Sequence, residues 1–166
     1  NMFRMVILTR NWNASHGGIY VPVTQRVEPN PYLDHPQRDL TTTDGVALTM
    51  VNPAYMTRLI ADMAESASGA IFRLTSLKPI RPENKADAWE GESLHAFENG
   101  ITETFAVAEG RDGMMLRYMA PLPVEESCLA CHRKQGYQVG DIRGGISVSQ
   151  RYEPIADALS RNSRTV

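Results

Sequence analysis

Cysteine is scarce in this chain, with two among 166 residues. At positions 128 and 131 the pair is too small and too close together for the disulfide framework that holds small secreted domains, so packing must hold the core. An excess of charge of either sign is also missing. Lys and Arg number 17 and Asp and Glu 19, a formal net charge of -2, and no overall field recommends nucleic acid or an anionic membrane surface as a partner. Long hydrophobic runs are absent as well. The apolar stretch at residues 5–8 is far too short to span a bilayer, and no targeting segment is visible. Asn1 is not an initiator residue, and the chain reads as a piece excised from a longer protein.

What is present fits one globular domain over residues 1–166. Hydrophobic residues at 42% and charged residues at 22% are ordinary for a packed chain. No internal repeat or low-complexity tract divides it. Phe3, Val6 and Ile7 recur at helical spacing over residues 1–14, ahead of His16-Gly17-Gly18. Residues 21–43, with Pro22, Pro29, Pro31 and Pro36, carry neither period and read as a long surface loop. Asn52-Pro53 supplies an N-cap and a first helical residue, after which Tyr55, Met56, Leu59, Ile60 and Met63 fall on one face.

Residues 70–77 have strand composition, and residues 78–85, with two prolines, form a connector. Asp87 with Glu90 has capping-box spacing and opens a second helix that stops at Asn99-Gly100. Residues 102–108 alternate, with Phe105 and Val107 on one side, and turn through residues 110–113 into residues 114–120 as a hairpin. A last strand covers residues 140–150, and residues 151–166 read as a helix. The fold class expected is α+β: a small antiparallel sheet with an N-terminal and a C-terminal helix.

Both cysteines sit in Cys128-Leu129-Ala130-Cys131-His132. In a C-x-x-C-H segment two thiols can each add across a vinyl group of haem while the following imidazole ligates the iron. Other uses of the pair remain open. A zinc site needs about four ligands, and His16, His35 and His95 lack ligand spacing. A thioredoxin-like dithiol would open a helix after a strand, whereas here Glu125-Glu126 precedes it and opposes thiolate formation.

Six further stretches resemble one family. They are residues 12–20 (Trp12 to Tyr20, containing His16-Gly17-Gly18), Asn52-Pro53-Ala54-Tyr55-Met56, Thr75-Ser76-Leu77-Lys78-Pro79, Arg81-Pro82-Glu83-Asn84, Ala88-Trp89-Glu90, and residues 140–148 with Arg143-Gly144-Gly145. Together with the haem segment they resemble the c-haem-containing, PAS-like extracytoplasmic sensor domains of bacterial histidine kinases, chemoreceptors and cyclases. The likeness covers nearly the whole chain.

That resemblance implies a signal-input domain outside the cytoplasmic membrane, in a receptor anchored through flanking helices that this chain lacks. It would sense redox state or a diatomic gas through haem c, and would pair as a homodimer through its terminal helices. Cys128 and Cys131 would carry the thioethers and His132 would be the proximal ligand. Some relatives supply a further cysteine to the iron, and this chain has none. His16, flanked by glycines that permit close approach, is the candidate distal ligand.

Arg73 and Arg143, on expected strands, are candidates for pairing with haem propionates; Arg117 is placed similarly, and an ordinary ion pair is the competing use of each. His35 reads as a loop residue and His95 as a helix-surface residue. Trp89, Tyr55 and Phe97 could wall a cofactor or simply fill the core. Arg81 and Asn84 read as loop-fixing residues. No nucleophile elbow, phosphate loop or paired metal motif suggests catalysis. The readings left beside the haem sensor are a haem-free small-molecule sensor and a thiol or electron-transfer protein using the cysteine pair.

Overall fold

Local signals define most of the elements in the computed structural model. It describes residues 2–110 and 113–153, stopping at the backbone for Met2, Ala130, Cys131 and Arg133. Helix α1 (Met2–Ser15) leads into strands β1 (Ile19–Pro22), β2 (Asp39–Thr41) and β3 (Ala47–Val51). Helix α2 (Pro53–Ser68) and strand β4 (Ile71–Thr75) follow, then α3 (Ala88–Glu98). Strands β5 (Thr104–Gly110) and β6 (Gly113–Pro123), the short helix α4 (Leu129–His132) and strand β7 (Ile142–Arg151) complete the order.

The caps act where they were expected. The Asn52 side chain accepts from the Tyr55 amide at 2.9 Å, Pro53 occupies the first turn of α2, and Gly69 closes the helix at φ 68. At α3 both arms of the capping box form: Glu90 N–H donates to Asp87 Oδ1 at 2.9 Å and Asp87 N–H to Glu90 Oε2 at 3.0 Å.

Four strands make the main antiparallel sheet in the order β4-β7-β6-β5. The last strand in the chain is therefore central, held between β4 and β6. Helices α1 and α2 cover one face, where Val6, Ala70, Phe72 and Ile146 form a buried cluster with Ile7 and Ile60 packed on it. Helix α3 covers the other face through Leu94 and Phe97 against Met119. Burying a side chain such as Ile146, at 0% exposure, is worth about 1.5–3 kcal/mol.

One expectation needs correction. The stretch read as a long loop carries β1 and β2, which flank β3 in a second, three-stranded sheet. Strands of 4, 3 and 5 residues are too short to show a period of two, and β1 meets β3 only across the long intervening segment. The alternation at Phe105 and Val107 is real, but that side of edge strand β5 faces solvent, with Phe105 75% exposed. The helix expected over residues 151–166 lies outside the described residues from position 154 onward.

One irregularity positions the site. Leu122 pairs with Gly144 but Pro123 pairs with Ile142, so Arg143 is an extra residue in β7. Such a bulge re-aims side chains. Ile142 packs in the α3 cluster and Ile146 in the α1/α2 cluster, and the bulge between them turns Arg143 toward the α1/α2 side. Gly144 is required beside it, because a Cβ there would stand 2.3 Å from the Thr75 carbonyl oxygen.

Candidate functional site

The chain between β6 and β7 carries the cysteine segment, and its two ends are stitched together. Val124 N–H donates to the Asp141 carbonyl at 2.8 Å and Gly140 N–H to the Val124 carbonyl at 2.9 Å. Within this loop Cys128 ends a 3-10 turn, Glu126–Cys128, and Cys131 and His132 are the third and fourth residues of α4. The half-buried Cys128 Sγ accepts from Glu125 N–H at 3.4 Å.

Cys128 and His132 both line a cavity of about 340 Å³, within the usual size range of ligand sites. It opens where α1, α2, the end of β4 and the β4–α3 connector meet the loop. Arg10, Arg58, Arg81, Lys134 and Arg143 line it, against one carboxylate, Asp34. Asp34 is itself within 3.4 Å of Lys134 Nζ. The surplus of cations suits an anionic occupant.

His132 is oriented through one ring nitrogen. Its Nδ1 is 2.8 Å from Gln135 Oε1, and Arg143 Nε stands 3.3 Å from the same nitrogen. One nitrogen cannot both donate and accept. The shorter contact takes the proton, so Nδ1–H donates to Gln135 and Nε2 keeps its lone pair. Burial pushes the imidazole pKa below its ordinary value; the Gln135 bond opposes this, and the positive Arg143 and Arg10 add to the lowering. A neutral ring with one nitrogen tethered is the form that binds a metal through the other.

The arginines are partly desolvated. Burial pushes the Arg10 guanidinium down to about 10, against the pull of Cys128 and Glu125. Arg10 Nη1 donates to the Pro53 carbonyl at 3.0 Å and to Thr57 Oγ1 at 2.7 Å, tying α1 to α2. Burial also lowers Arg143, with Tyr137 opposing. Arg143 Nη1 donates to Ser76 Oγ at 2.6 Å and its guanidinium lies 5.1 Å from the Tyr137 ring centre. Among the described residues, Arg10, Arg58 and Arg143 have no carboxylate within ion-pair distance.

Two residues expected at the site lie elsewhere. Arg73 projects to the α3 side of β4, where Nη1 is 3.5 Å from Asp87 Oδ2 and 3.3 Å from Glu90 Oε2. Arg117 shares these acids and lies 4.3 Å from the Trp89 ring centre. The ion-pair use competing with propionate binding is thus what the structure places at Arg73. His16 is exposed at the end of α1, its Nδ1 2.8 Å from the Trp12 carbonyl oxygen, and it does not line the cavity. Its neighbours Gly17 and Gly18, at φ 70 and φ 106, serve the left-handed helix end rather than an approach to a cofactor. Replacing His16 with alanine should change stability by less than about 0.5 kcal/mol and leave the absorption spectrum of haem-loaded protein unaltered; a changed low-spin spectrum would return His16 to the coordination sphere.

Tyr55, Trp89 and Phe97 do not line the cavity. Arg58, Arg81 and Asn84 do. Arg81 and Asn84 were legible only as loop-fixing residues, and nothing in the spacing of α2 singled out Arg58.

Fold and site together define an α+β domain with helices on both faces of an antiparallel sheet and a cationic cavity beside a C-x-x-C-H segment. Residues 3–151 match the Tll0287-like family, and the chain belongs to it. A solved structure described as "cyanobacterial heme-protein Tll0287" superposes with a TM-score of 0.59 at 19% identity, covering 90% of this chain and 90% of that one. At that identity the likeness establishes the fold, which is the PAS-like α+β arrangement expected. No curated protein matches the chain.

Proposed function

We propose that this chain is the extracytoplasmic input domain of a bacterial membrane receptor, foremost a sensor histidine kinase, carrying covalent haem c. The observation that carries the reading is the convergence of Cys128 and His132 on one cavity ringed by arginines, with His132 Nδ1 engaged and Nε2 free. Haem fits this donor set: Cys128 and Cys131 hold the vinyl edge, His132 binds the iron, and the cations receive the propionates. When bound, the group supplies a redox centre and a site for a diatomic ligand. The description of the structural relative as a heme-protein supports the same reading.

Among the described lining residues there is no second histidine and no methionine, which favours water or an exogenous ligand in the remaining iron position. The signal is a gas or a redox change, and the chain itself is non-catalytic, with any kinase activity in the rest of the receptor. Among the described residues no helix is long and apolar enough to cross a membrane; attachment is assigned to flanking segments. Pairing through the terminal helices is supported by Met5, Leu8 and Trp12, which stand 59%, 61% and 53% exposed on α1 at helical spacing. The surplus of arginines also favours, as a second reading, a haem-free sensor of a small anion. A thiol or electron-transfer role for the cysteine pair has no comparable support.

Protein produced in the periplasm with haem-attachment machinery should show a Soret band that survives denaturation. Fully matured protein with no covalent haem would overturn the reading.

A further inference from the structure

The cavity has two cationic groups with different neighbours. Arg143 belongs to the cysteine end, its Nε 3.3 Å from His132 Nδ1, and so does Arg10, which with Cys128 and Glu125 also lines a second recess that neither Arg58 nor Arg81 reaches. Arg58 and Arg81 belong to another end. Arg58 lies over the Tyr55 ring and Arg81 meets Asn84 and Glu83, residues of α2 and the β4–α3 connector rather than of the cysteine loop. In a haem with two vinyl and two propionate groups, the propionates occupy the edge away from the vinyl carbons. Thioethers at Cys128 and Cys131 would therefore direct the carboxylates away from the cysteine end.

We infer that Arg58, Arg81 and the Asn84 amide form a carboxylate-binding subsite at that end of the cavity and anchor the haem propionates. The inference rests on the haem reading above and goes beyond it by assigning residues to the cofactor's carboxylates. Arg58 is half-buried and lies 4.8 Å from the Tyr55 ring centre, and Tyr55 is fixed by its hydroxyl donating to the Glu28 carbonyl at 2.8 Å. Arg81 Nη1 donates to Asn84 Oδ1 at 3.2 Å, which leaves the Asn84 Nδ2 donors for an acceptor. The Arg81 Nε contact with the exposed Glu83, at 3.4 Å, neutralises it only in part.

The backbone here is already set. Asn84 N–H donates to the Arg81 carbonyl at 3.0 Å, and Ser76 N–H donates to the Asn84 carbonyl at 2.9 Å, joining the connector to β4. Two like charges held beside one cavity gain from an anion placed between them. Burial lowers the Arg58 pKa, and the like charge of Arg81 lowers it further.

The test is potentiometric titration of haem-loaded protein from pH 5 to pH 8. Cationic partners offset the propionate charge that favours ferric haem, so Arg58→Gln and Arg81→Gln should each lower the midpoint potential, and the double variant should lower it most. The double variant should also gain a pH dependence as the propionates lose their partners and titrate higher. Arg58→Lys, which keeps the charge, should stay near wild type, and folding of each variant is checked by circular dichroism. Arg151→Gln, at the exposed end of β7, controls for net charge. Potentials and pH dependence equal to wild type in the folded Arg81→Gln or double variant, or a fall no larger than that of Arg151→Gln, would overturn the subsite. Wild-type protein lacking thioether-bound haem would instead defeat the function reading, and this occupant with it.

Discussion

Glu90→Ala is expected to destabilise the domain by about 2–4 kcal/mol, the cost of stranding the buried Ser147 hydroxyl and losing one arm of the helix cap, while the part-exposed Arg73 and Arg117 keep Asp87. Glu90 is fully buried, yet its carboxylate meets four groups. Ser147 Oγ donates to Oε1 at 2.6 Å, Asp87 N–H donates to Oε2 at 3.0 Å, and Arg73 and Arg117 approach within 3.3 and 3.5 Å. Alanine would remove the acceptor that the Ser147 hydroxyl uses on the central strand and take away half of the capping box. At roughly 2–4 °C per kcal/mol for a chain of this size, the melting temperature should fall by on the order of 10 °C. Glu90→Gln keeps an acceptor and should lose less. Thermal unfolding followed by circular dichroism decides it, and a change under about 0.5 kcal/mol would show the cluster to be energetically idle.

The same cluster should make the fold sensitive to acid. Burial pushes the Asp87 carboxyl up, but the Glu90 amide and the Arg117 and Arg73 guanidiniums outweigh it and hold the pKa below the usual carboxylate value. A lowered native pKa means that the unfolded chain binds more protons. The stabilisation is therefore complete above about pH 4 and is lost as the pH falls through the native value.

The second large effect concerns the cysteine segment. Replacing both Cys128 and Cys131 with alanine should abolish haem that survives denaturation, while the fold persists, because the packed clusters on both faces of the sheet are built from the helices α1, α2 and α3 and the sheet strands. His132→Ala should differ in kind. Both thiols remain, so pigment stays attached to the chain, but the spectrum should lose the signature of a protein-supplied imidazole. Pyridine haemochrome assay of denatured protein, beside the native spectrum, separates the two outcomes. Retention of attached haem by the double-alanine variant would remove the thioether assignment.

The elements readable in advance are those whose signals are local. Asn52-Pro53, the Asp87 and Glu90 pair and Asn99-Gly100 act within one helical turn, and each sits where the structure places a helix end. The three-stranded sheet was hidden because β1 and β2 are too short for periodicity and meet only through β3, whose pairing depends on the intervening chain closing. At the site, Arg73 and Arg143 look alike as strand arginines. Simple alternation in β7 would put Arg143 with Gly145 and Ser147 on the α3 side, and the bulge reverses this. A bulge with no glycine at the extra residue leaves little trace in sequence. Arg58 was hidden for another reason: the core face of α2 runs through Thr57, Ile60 and Ala64 rather than through the expected apolar stripe, whose Met63 is 71% exposed, and Arg58 lines the cavity beside it.

The placement of β7 bears on the order of events during biosynthesis. The cysteine segment is made before β7, yet the sheet cannot close without that strand, because β4 and β6 meet only through it. Residues 133–151 must still be delivered when His132 emerges, which at about 5–20 residues per second takes on the order of a second or more. Over that interval the loop that carries Cys128 and Cys131 lacks the hydrogen bonds that join its two ends. Once β7 inserts, Val124 and Asp141 pin the loop ends and Cys128 lines the cavity. Strand order thus leaves the cysteine loop unpinned until the strand that joins β4 to β6 is in place.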